Sequence, residues 1–382
     1  MTYVRPRRRL LILESLSTIA GGQQVLLDAV PALNASFDLA VLLPDDGPLA
    51  RRLRAGGVSC HFAPAGQYTL VRKTVRDALG YAARLPWMTL LTWRLIRQAG
   101  IDLVYANSGR TFVWGTLAAA LSGRPMVWHH HNLLADAKTL ALVRLVGRLR
   151  TVRRIMCASK VACQQFPALA HKAVVIPGGV DTERYRPSRA WGATVRKELG
   201  ISGDSRVVGM VGDLIPLKGQ HLLLEALSLA PPGVHCVIVG AVRPDDAESE
   251  RYARRLWQTA PDNVVFTGRR ADLPAVLNAL DVLVVASERE TGPLVLLEAL
   301  ACGVPVISTP VGRAAELLSP EALYPVNDAT ALAGRIEFWL LDRQRLEGAR
   351  LAARALAEER LTLDRFRAAL GAEIERTLGR SV

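Results

Sequence analysis

Short apolar runs alternate with helical patterns along nearly the whole chain, and they do so in two successive series. In the first half, runs that suit buried strands fall at 9–14, 38–43, 58–62, 101–105, 125–128, 153–157 and 173–176. Amphipathic stretches fill the gaps, for example at 23–33, 71–98 and 139–149. In the second half, strand candidates fall at 206–211, 234–239, 263–266, 281–285 and 304–307. Helices are expected there at 219–230, 246–259, 272–279 and 293–301. Continuous apolar strands, each followed by a helix, imply parallel sheets covered on both faces. Between the series, Pro177 to Arg189 is rich in proline, glycine and arginine and reads as a linker. From Ala329 onward the chain is helical in pattern, and no repeat of solenoid period is present.

At 382 residues the chain is too long for one typical core and suits two domains, and its 50% apolar content is enough to fill them. No uninterrupted run of 18 apolar residues occurs, so no clear membrane span is expected. The start, Arg5-Pro6-Arg7-Arg8-Arg9 followed by Leu10 to Leu13, superficially resembles a signal peptide. Glu14 cuts that apolar run short and no small-residue cleavage site follows, so a first buried strand is expected instead. Cys60, Cys157, Cys163, Cys236 and Cys302 are scattered among apolar residues. That pattern fits reduced packing thiols and a cytoplasmic location, and it argues against a disulfide framework or a zinc site.

The formal net charge of +13 implies attraction to something anionic, although arginine bias also follows genome composition. Residues 71–98 interleave Arg72, Lys73, Arg76, Arg84, Arg94 and Arg97 with Trp87, Met88, Leu91 and Trp93. A second basic stretch runs through Lys138, Arg144, Arg148, Arg150, Arg153 and Arg154. Basic helices with tryptophan lie on anionic headgroups, which would give peripheral contact at the inner face of a membrane. The same pattern also fits ordinary amphipathic helices packed on a sheet. Nucleic acid is not expected as a partner, because no recognised binding motif accompanies the charge.

Ligands of doubly wound sheets bind at the carboxyl ends of the strands, so the loops there carry the functional reading. Glu290 and Glu298 stand eight residues apart, flanking a loop that turns into a helix. Pro293 suits the first helical position, and backbone N–H groups from Thr291 through Gly292 to Leu294 would form an anion site. Eight helical residues rise by roughly 12 Å, about the reach from one sugar to another across a pyrophosphate. A capped surface helix with two solvated acids is the plainer alternative. After the first strand, Gly21-Gly22 opens a helix and would let a ligand approach the backbone, though a simple turn needs no ligand. No Gly-x-Gly-x-x-Gly follows it, which disfavours a dinucleotide dehydrogenase. The run His129-His130-His131 ends the fifth strand, with His129 and His131 on one side if the strand continues. Three consecutive histidines lack spaced partners for a metal, and none is expected.

Several of these segments together resemble the retaining glycosyltransferase family 4, whose fold is GT-B. The resemblance is carried by Ser287-Glu288-Arg289-Glu290 and then Glu298-Ala299-Leu300-Ala301-Cys302-Gly303-Val304-Pro305-Val306. It continues in Pro177-Gly178-Gly179-Val180-Asp181, similar to a Pro-Asn-Gly-Val-Asp hinge, and in Gly312-Arg313-Ala314-Ala315-Glu316. It implies two Rossmann-like parallel-sheet domains facing across a cleft, with a last helix crossing back to the N-terminal domain. The expected division is 1–180 on the acceptor side, 181–360 for the nucleotide sugar, and 361–382 as the returning helix.

The resemblance also implies roles. Glu298 would bind ribose hydroxyls, Glu290 the hexose hydroxyls, and Lys218 the donor diphosphate. Gly21 and Gly22 would lie beside the donor phosphates and acceptor, and His129 near the transferred sugar. Asp213 stands where the family pattern Gly-Arg-Leu has arginine. A carboxylate there repels pyrophosphate by about 1 kcal/mol in water at 4 Å, so it must turn away or be compensated, with Arg269 or Arg270 as candidates. The expected activity is transfer of a hexose from a nucleoside-diphosphate sugar to a glycan or lipid-linked acceptor, with retention and without a metal or other cofactor. A nucleotide-sugar epimerase, a glycosyl phosphorylase and a non-catalytic binding relative are the rival readings.

Overall fold

The computed structural model describes residues 7–64 and 75–379. Arg5, Pro6, Arg72 and Lys73 lie outside the described residues, as does the stretch before Val75 that was read as helical. Residue contacts divide the chain into two compact units, Met1–Pro177 with Asp364–Val382, and Gly178–Leu363.

The first unit opens with β1 (Arg8–Leu13), α1 (Gly21–Ser36), β2 (Phe37–Leu43), α2 (Pro48–Ala55) and β3 (Ser59–Phe62). It continues through α3 (Val75–Gln98), β4 (Leu103–Ala106), α4 (Phe112–Leu121), β5 (Met126–His130) and α5 (Ala137–Gly147). β6 (Val152–Cys157), α6 (Lys160–Cys163) and β7 (Ala173–Val175) complete its main run. The seven strands pair in parallel in the order β3-β2-β1-β4-β5-β6-β7. Right-handed crossovers force the helices onto opposite faces wherever that order reverses, which here is between β1 and β4. One face packs Leu11, Leu13, Val104 and Trp128 against Met88 and Ile96 of α3, Phe112 of α4, and Val143 and Val146 of α5.

The second unit opens with α7 (Arg189–Glu198), β8 (Arg206–Val211), α8 (Gln220–Leu229), β9 (Val234–Val239) and α9 (Ala247–Thr259). β10 (Val264–Gly268), α10 (Leu273–Asn278), β11 (Val282–Val285), α11 (Leu294–Ala301) and β12 (Val306–Ser308) follow. The unit ends with α12 (Ala314–Leu317), α13 (Ala329–Leu341) and α14 (Arg343–Arg360). Its parallel sheet runs β10-β9-β8-β11-β12, and the reversal falls between β8 and β11. Alternation along each strand feeds two cores. Val207, Leu283 and Val285 meet Leu296 and Leu300 on one face, while Val208, Met210, Val282 and Val284 meet Leu223 and Ile336 on the other. The helix expected over 246–259 is present as α9, with Asp246 capping it by accepting from the N–H groups of Glu248 and Ser249, both at 3.1 Å.

The last helix, α15 (Leu363–Gly379), packs on the first unit rather than on the sheet that precedes it. The Arg367 guanidinium donates to the Asp28 carbonyl at 2.8 Å. Glu373, 3% exposed, pairs with Arg154 of β6 at 2.5 Å and with Arg376 at 2.9 Å. A carboxylate sealed that deeply needs such partners, because losing one would leave a buried charge uncompensated. This is the returning helix that the resemblance implied.

Candidate functional site

In the second unit, the loops after β8 and β11 meet at the strand-order reversal, where open α/β sheets bind ligands. Gly219 makes the approach feasible: its φ is +78° and an added Cβ would sit 2.4 Å from the Ala286 carbonyl oxygen. The Glu288 N–H donates to the Leu217 carbonyl at 3.0 Å, tying the two loops together. Their side chains converge as well, since the Lys218 ammonium donates to the Glu290 carboxylate. Both members of that pair are about four-fifths covered.

Pro293 caps α11 from just outside it, with φ −62° and ψ 122°, so the helix starts at Leu294, one residue later than expected. Its extended ψ follows from ending the loop rather than beginning the helix. Gly292 and Leu294 are partly exposed, whereas Thr291 is buried beneath the β12 loop. The Thr291 carbonyl accepts from the Arg313 N–H at 3.1 Å. Arg313 itself is buried, reaches the Gly178 carbonyl at 3.1 Å, and is pushed down to about 10 by desolvation. Glu298 lies on α11 one helical stretch beyond Glu290 and receives a hydrogen bond from the Tyr185 hydroxyl. Burial, together with that neighbouring charge, pushes the Tyr185 phenol up, which keeps it a donor.

Asp213 does not turn away. Its carboxylate accepts from Arg243 at 2.9 Å and from Arg269 at 3.1 Å, so two guanidiniums flank it. Arg270 is occupied elsewhere, paired with Glu198 and Asp272. Of the two anticipated, Arg269 is the one that pairs with Asp213, and Arg243 is a second partner that sequence reading missed. Its signal was its place, a basic residue in the Gly240-Ala241-Val242-Arg243 loop at the carboxyl end of β9.

In the first unit, a second polar cluster forms at the reversal between β1 and β4. Glu14 follows β1, Asn107 follows β4, and the Asn107 N–H donates to the Leu13 carbonyl at 3.0 Å. Asn107 Nδ2 donates to Glu14 Oε2 at 2.6 Å and to the Gly22 carbonyl at 3.2 Å. Asn107 Oδ1 faces His131 Nε2 at 3.0 Å. Gly21 has open space where a side chain would go, while a Cβ at Gly22 would touch the His131 ring at 3.4 Å.

His129 and His131 do share one side of β5, with ring centroids 3.9 Å apart. His129 is fully sealed and bonded to the Tyr105 hydroxyl, whereas His131 lies nearer the surface. Burial drives His129 down to about 3, with the Ile176 backbone opposing and His130 adding to the effect. His130 points the other way, bonds Gln165 at 2.9 Å, packs on Phe166, and is lowered by burial to about 4. All three rings are neutral near pH 7. Among the described residues, no group of three His, Cys, Asp or Glu side chains could hold a metal ion.

Two doubly wound parallel sheets, each with polar loops gathered at its own reversal, define the GT-B class of transferase fold. Residues 193–356 match the family Glycosyl transferases group 1, and residues 19–184 match Glycosyltransferase Family 4. The chain is 31% identical over 342 residues to a D-inositol 3-phosphate glycosyltransferase of Segniliparus rotundus, covering 80% of this chain and 69% of that one. It is 29% identical over 312 residues to a UDP-Gal:alpha-D-GlcNAc-diphosphoundecaprenol alpha-1,3-galactosyltransferase of Escherichia coli, covering 76% of each. Among solved structures, Anabaena HepE in complex with UDP-glucose superposes with a TM-score of 0.82 at 24% identity, over 96% of this chain and 99% of that one. The chain belongs to glycosyltransferase family 4. Its reaction class is sugar transfer from a nucleotide-sugar donor to an acceptor.

Proposed function

We propose that this protein transfers a hexose from a uridine diphosphate sugar to a lipid-diphosphate-linked acceptor, with retention of anomeric configuration. The observation that carries the reading is the Lys218–Glu290 pair at the β8/β11 reversal, with Glu298 eight residues further on. Lys218 and the N–H groups of Thr291, Gly292 and Leu294 stabilise the departing diphosphate. Arg269, beside Arg243, adds positive charge to the same loops. Glu290 holds hexose hydroxyls, and Glu298, oriented by Tyr185, holds the ribose. In the first unit, Gly21 and Gly22 are assigned to the transferred sugar, and His129, sealed and bonded to Tyr105, acts from behind His131 without touching that sugar. The bond from C1 to the diphosphate breaks, a bond from C1 to the acceptor oxygen forms on the same face, and the leaving phosphate oxygen takes the acceptor proton. The uridine and the lipid diphosphate are supported by the names of the Escherichia coli relative and of the Anabaena structure.

A membrane-borne acceptor also suits the outer surface of the first unit. No helix among the described residues is long and apolar enough to cross a membrane. Neighbouring helices α3, α4 and α5 nevertheless turn Trp87, Leu90, Leu121, Leu142 and Leu145 outward, with Leu149 exposed in the turn after α5. Exposed Arg84, Arg94, Lys138, Arg148 and Arg150 stand among them. Trp87, Leu90 and Arg94 also line an open groove of about 340 Å³ with Phe62 and Leu42. Apolar side chains ringed by cations are the surface that anionic headgroups retain, and the protein would act from the cytoplasmic side.

The test incubates the protein with labelled UDP-hexoses and a polyprenyl-diphosphate sugar, and reads the product anomer by NMR. Transfer with retention, abolished in Lys218→Ala, is the expected result. A product of inverted configuration, or free hexose with no acceptor product, would refute the proposal. Co-sedimentation with phosphatidylglycerol vesicles tests the surface separately: Leu142→Ser with Leu145→Ser is expected to release the protein, and unchanged binding removes that part of the reading.

A further inference from the structure

Glu14 is the most deeply buried carboxylate at either reversal, 2% exposed, and the transfer chemistry above leaves it without a task. Everything that approaches it is a donor. Its Oε1 accepts from the N–H groups of Ser15 at 2.6 Å and Leu16 at 3.1 Å, its Oε2 accepts from Asn107, and the Gln23 side chain adds a further hydrogen bond. Burial pushes the carboxyl up, and these four contacts pull the other way. Burial is the larger effect, and the donors occupy both carboxyl oxygens as acceptors.

The hydrogen-bond arithmetic then passes to Asn107. Its amide offers two donors on Nδ2 and an acceptor on Oδ1. Two acceptors, Glu14 Oε2 and the Gly22 carbonyl, claim Nδ2, so a flipped amide would set oxygen against oxygen at both. Oδ1 is therefore the atom that faces His131, and it requires a hydrogen on Nε2. A neutral imidazole with its hydrogen on Nε2 keeps its lone pair on Nδ1. The tautomer of His131 is thus set by a carboxylate it never touches.

We infer that Glu14 is a positioning residue that acts through Asn107 to hold His131 as a single Nε2–H tautomer against Gly22. The consequence is a ring of fixed orientation at the Gly21-Gly22 loop, in front of the sealed His129. The contribution to sugar transfer rests on the function proposed above, whereas the tautomer itself does not. Glutamine at position 14 has one acceptor oxygen where the carboxylate has two, so either the Ser15 and Leu16 N–H groups or Asn107 loses its acceptor.

The experiment records the imidazole nitrogen resonances of histidine-labelled protein in the wild type and in Glu14→Gln, with His131 assigned by His131→Gln. The wild type is expected to show His131 as the Nε2–H form alone. In Glu14→Gln its resonances move toward a tautomer average, kcat falls roughly 2- to 10-fold, the range for one misdirected hydrogen bond, and KM for the donor stays within about twofold. Glu14→Asp, which restores the second acceptor oxygen, recovers part of the loss. Should Glu14→Gln fail to fold, Asn107→Ser, which removes the Oδ1 contact, reads the same link. An unaltered His131 tautomer in a folded variant, or an Nδ1–H form in the wild type, overturns the positioning role. A shifted tautomer in a protein that transfers no sugar would leave that role intact and refute the proposed function instead.

Discussion

Replacing Asp213 by asparagine removes one negative charge from the loops that are proposed to receive the donor diphosphate. In the structure the local charges are Asp213 with Arg243 and Arg269, and Lys218 with Glu290, so three cations face two anions. Asp213→Asn raises the local balance by one unit and leaves both guanidiniums within reach of a phosphate. For a unit charge at a separation of about 8 Å, Coulomb's law gives ~0.5 kcal/mol in a water-like medium and ~2 kcal/mol at an effective dielectric of 20. Asp213 is about one-third exposed, which places the result between those limits. The expected outcome is UDP-hexose binding that tightens by roughly 2- to 30-fold. Isothermal titration calorimetry at low salt measures it, and the gain should shrink at about 1 M salt, where screening acts within about 3 Å. Weaker binding by Asp213→Asn would refute the reasoning. It would mean that the carboxylate's main effect is to aim Arg243 and Arg269, and that this ordering outweighs the repulsion.

Two further outcomes follow from contacts at the same loops and from the sealed histidines. Tyr185→Phe removes the hydroxyl that orients Glu298 and leaves the packing in place, so donor affinity should fall roughly 2- to 10-fold, the range for one hydrogen bond; unchanged affinity would separate Glu298 from the ribose. Burial holds His129 at about 3 and His130 at about 4, below the unfolded value near 6.5, so the unfolded chain binds protons that the native state refuses. Stability is then fully present above about pH 6.5 and is lost as pH falls toward 4 and then 3, by about 1.4 kcal/mol per unit for each ring. Urea denaturation at pH 7, 6 and 5 checks the sign, and a stability that is flat or rises on acidification contradicts it.

The strands were readable because both sheets are covered on two faces. Leu10 to Leu13 and Val282 to Val285 are apolar without interruption, a pattern that only doubly buried strands require. The carboxyl-end loops carry no such period. Glu14 reads locally as the end of an apolar run, and nothing near it in sequence points to Asn107, 93 residues away. Arg243 reaches Asp213 across 30 residues, and Tyr185 lies in a segment that reads as linker. What joins these residues is strand order, which is a property of crossover handedness and not of any local pattern. The two units nevertheless obey one rule. In each, the order reverses between its first strand and its fourth, so the loop after the first strand must lie beside the loop after the fourth. That adjacency pairs Glu14 with Asn107 in one sheet and Lys218 with Glu290 in the other. Motif spacing along the chain finds Glu290 and Glu298 because they share a single loop and helix. A residue pair split between two loops becomes visible only once the topology is drawn, and at both reversals that pair includes a carboxylate held by a nitrogen donor.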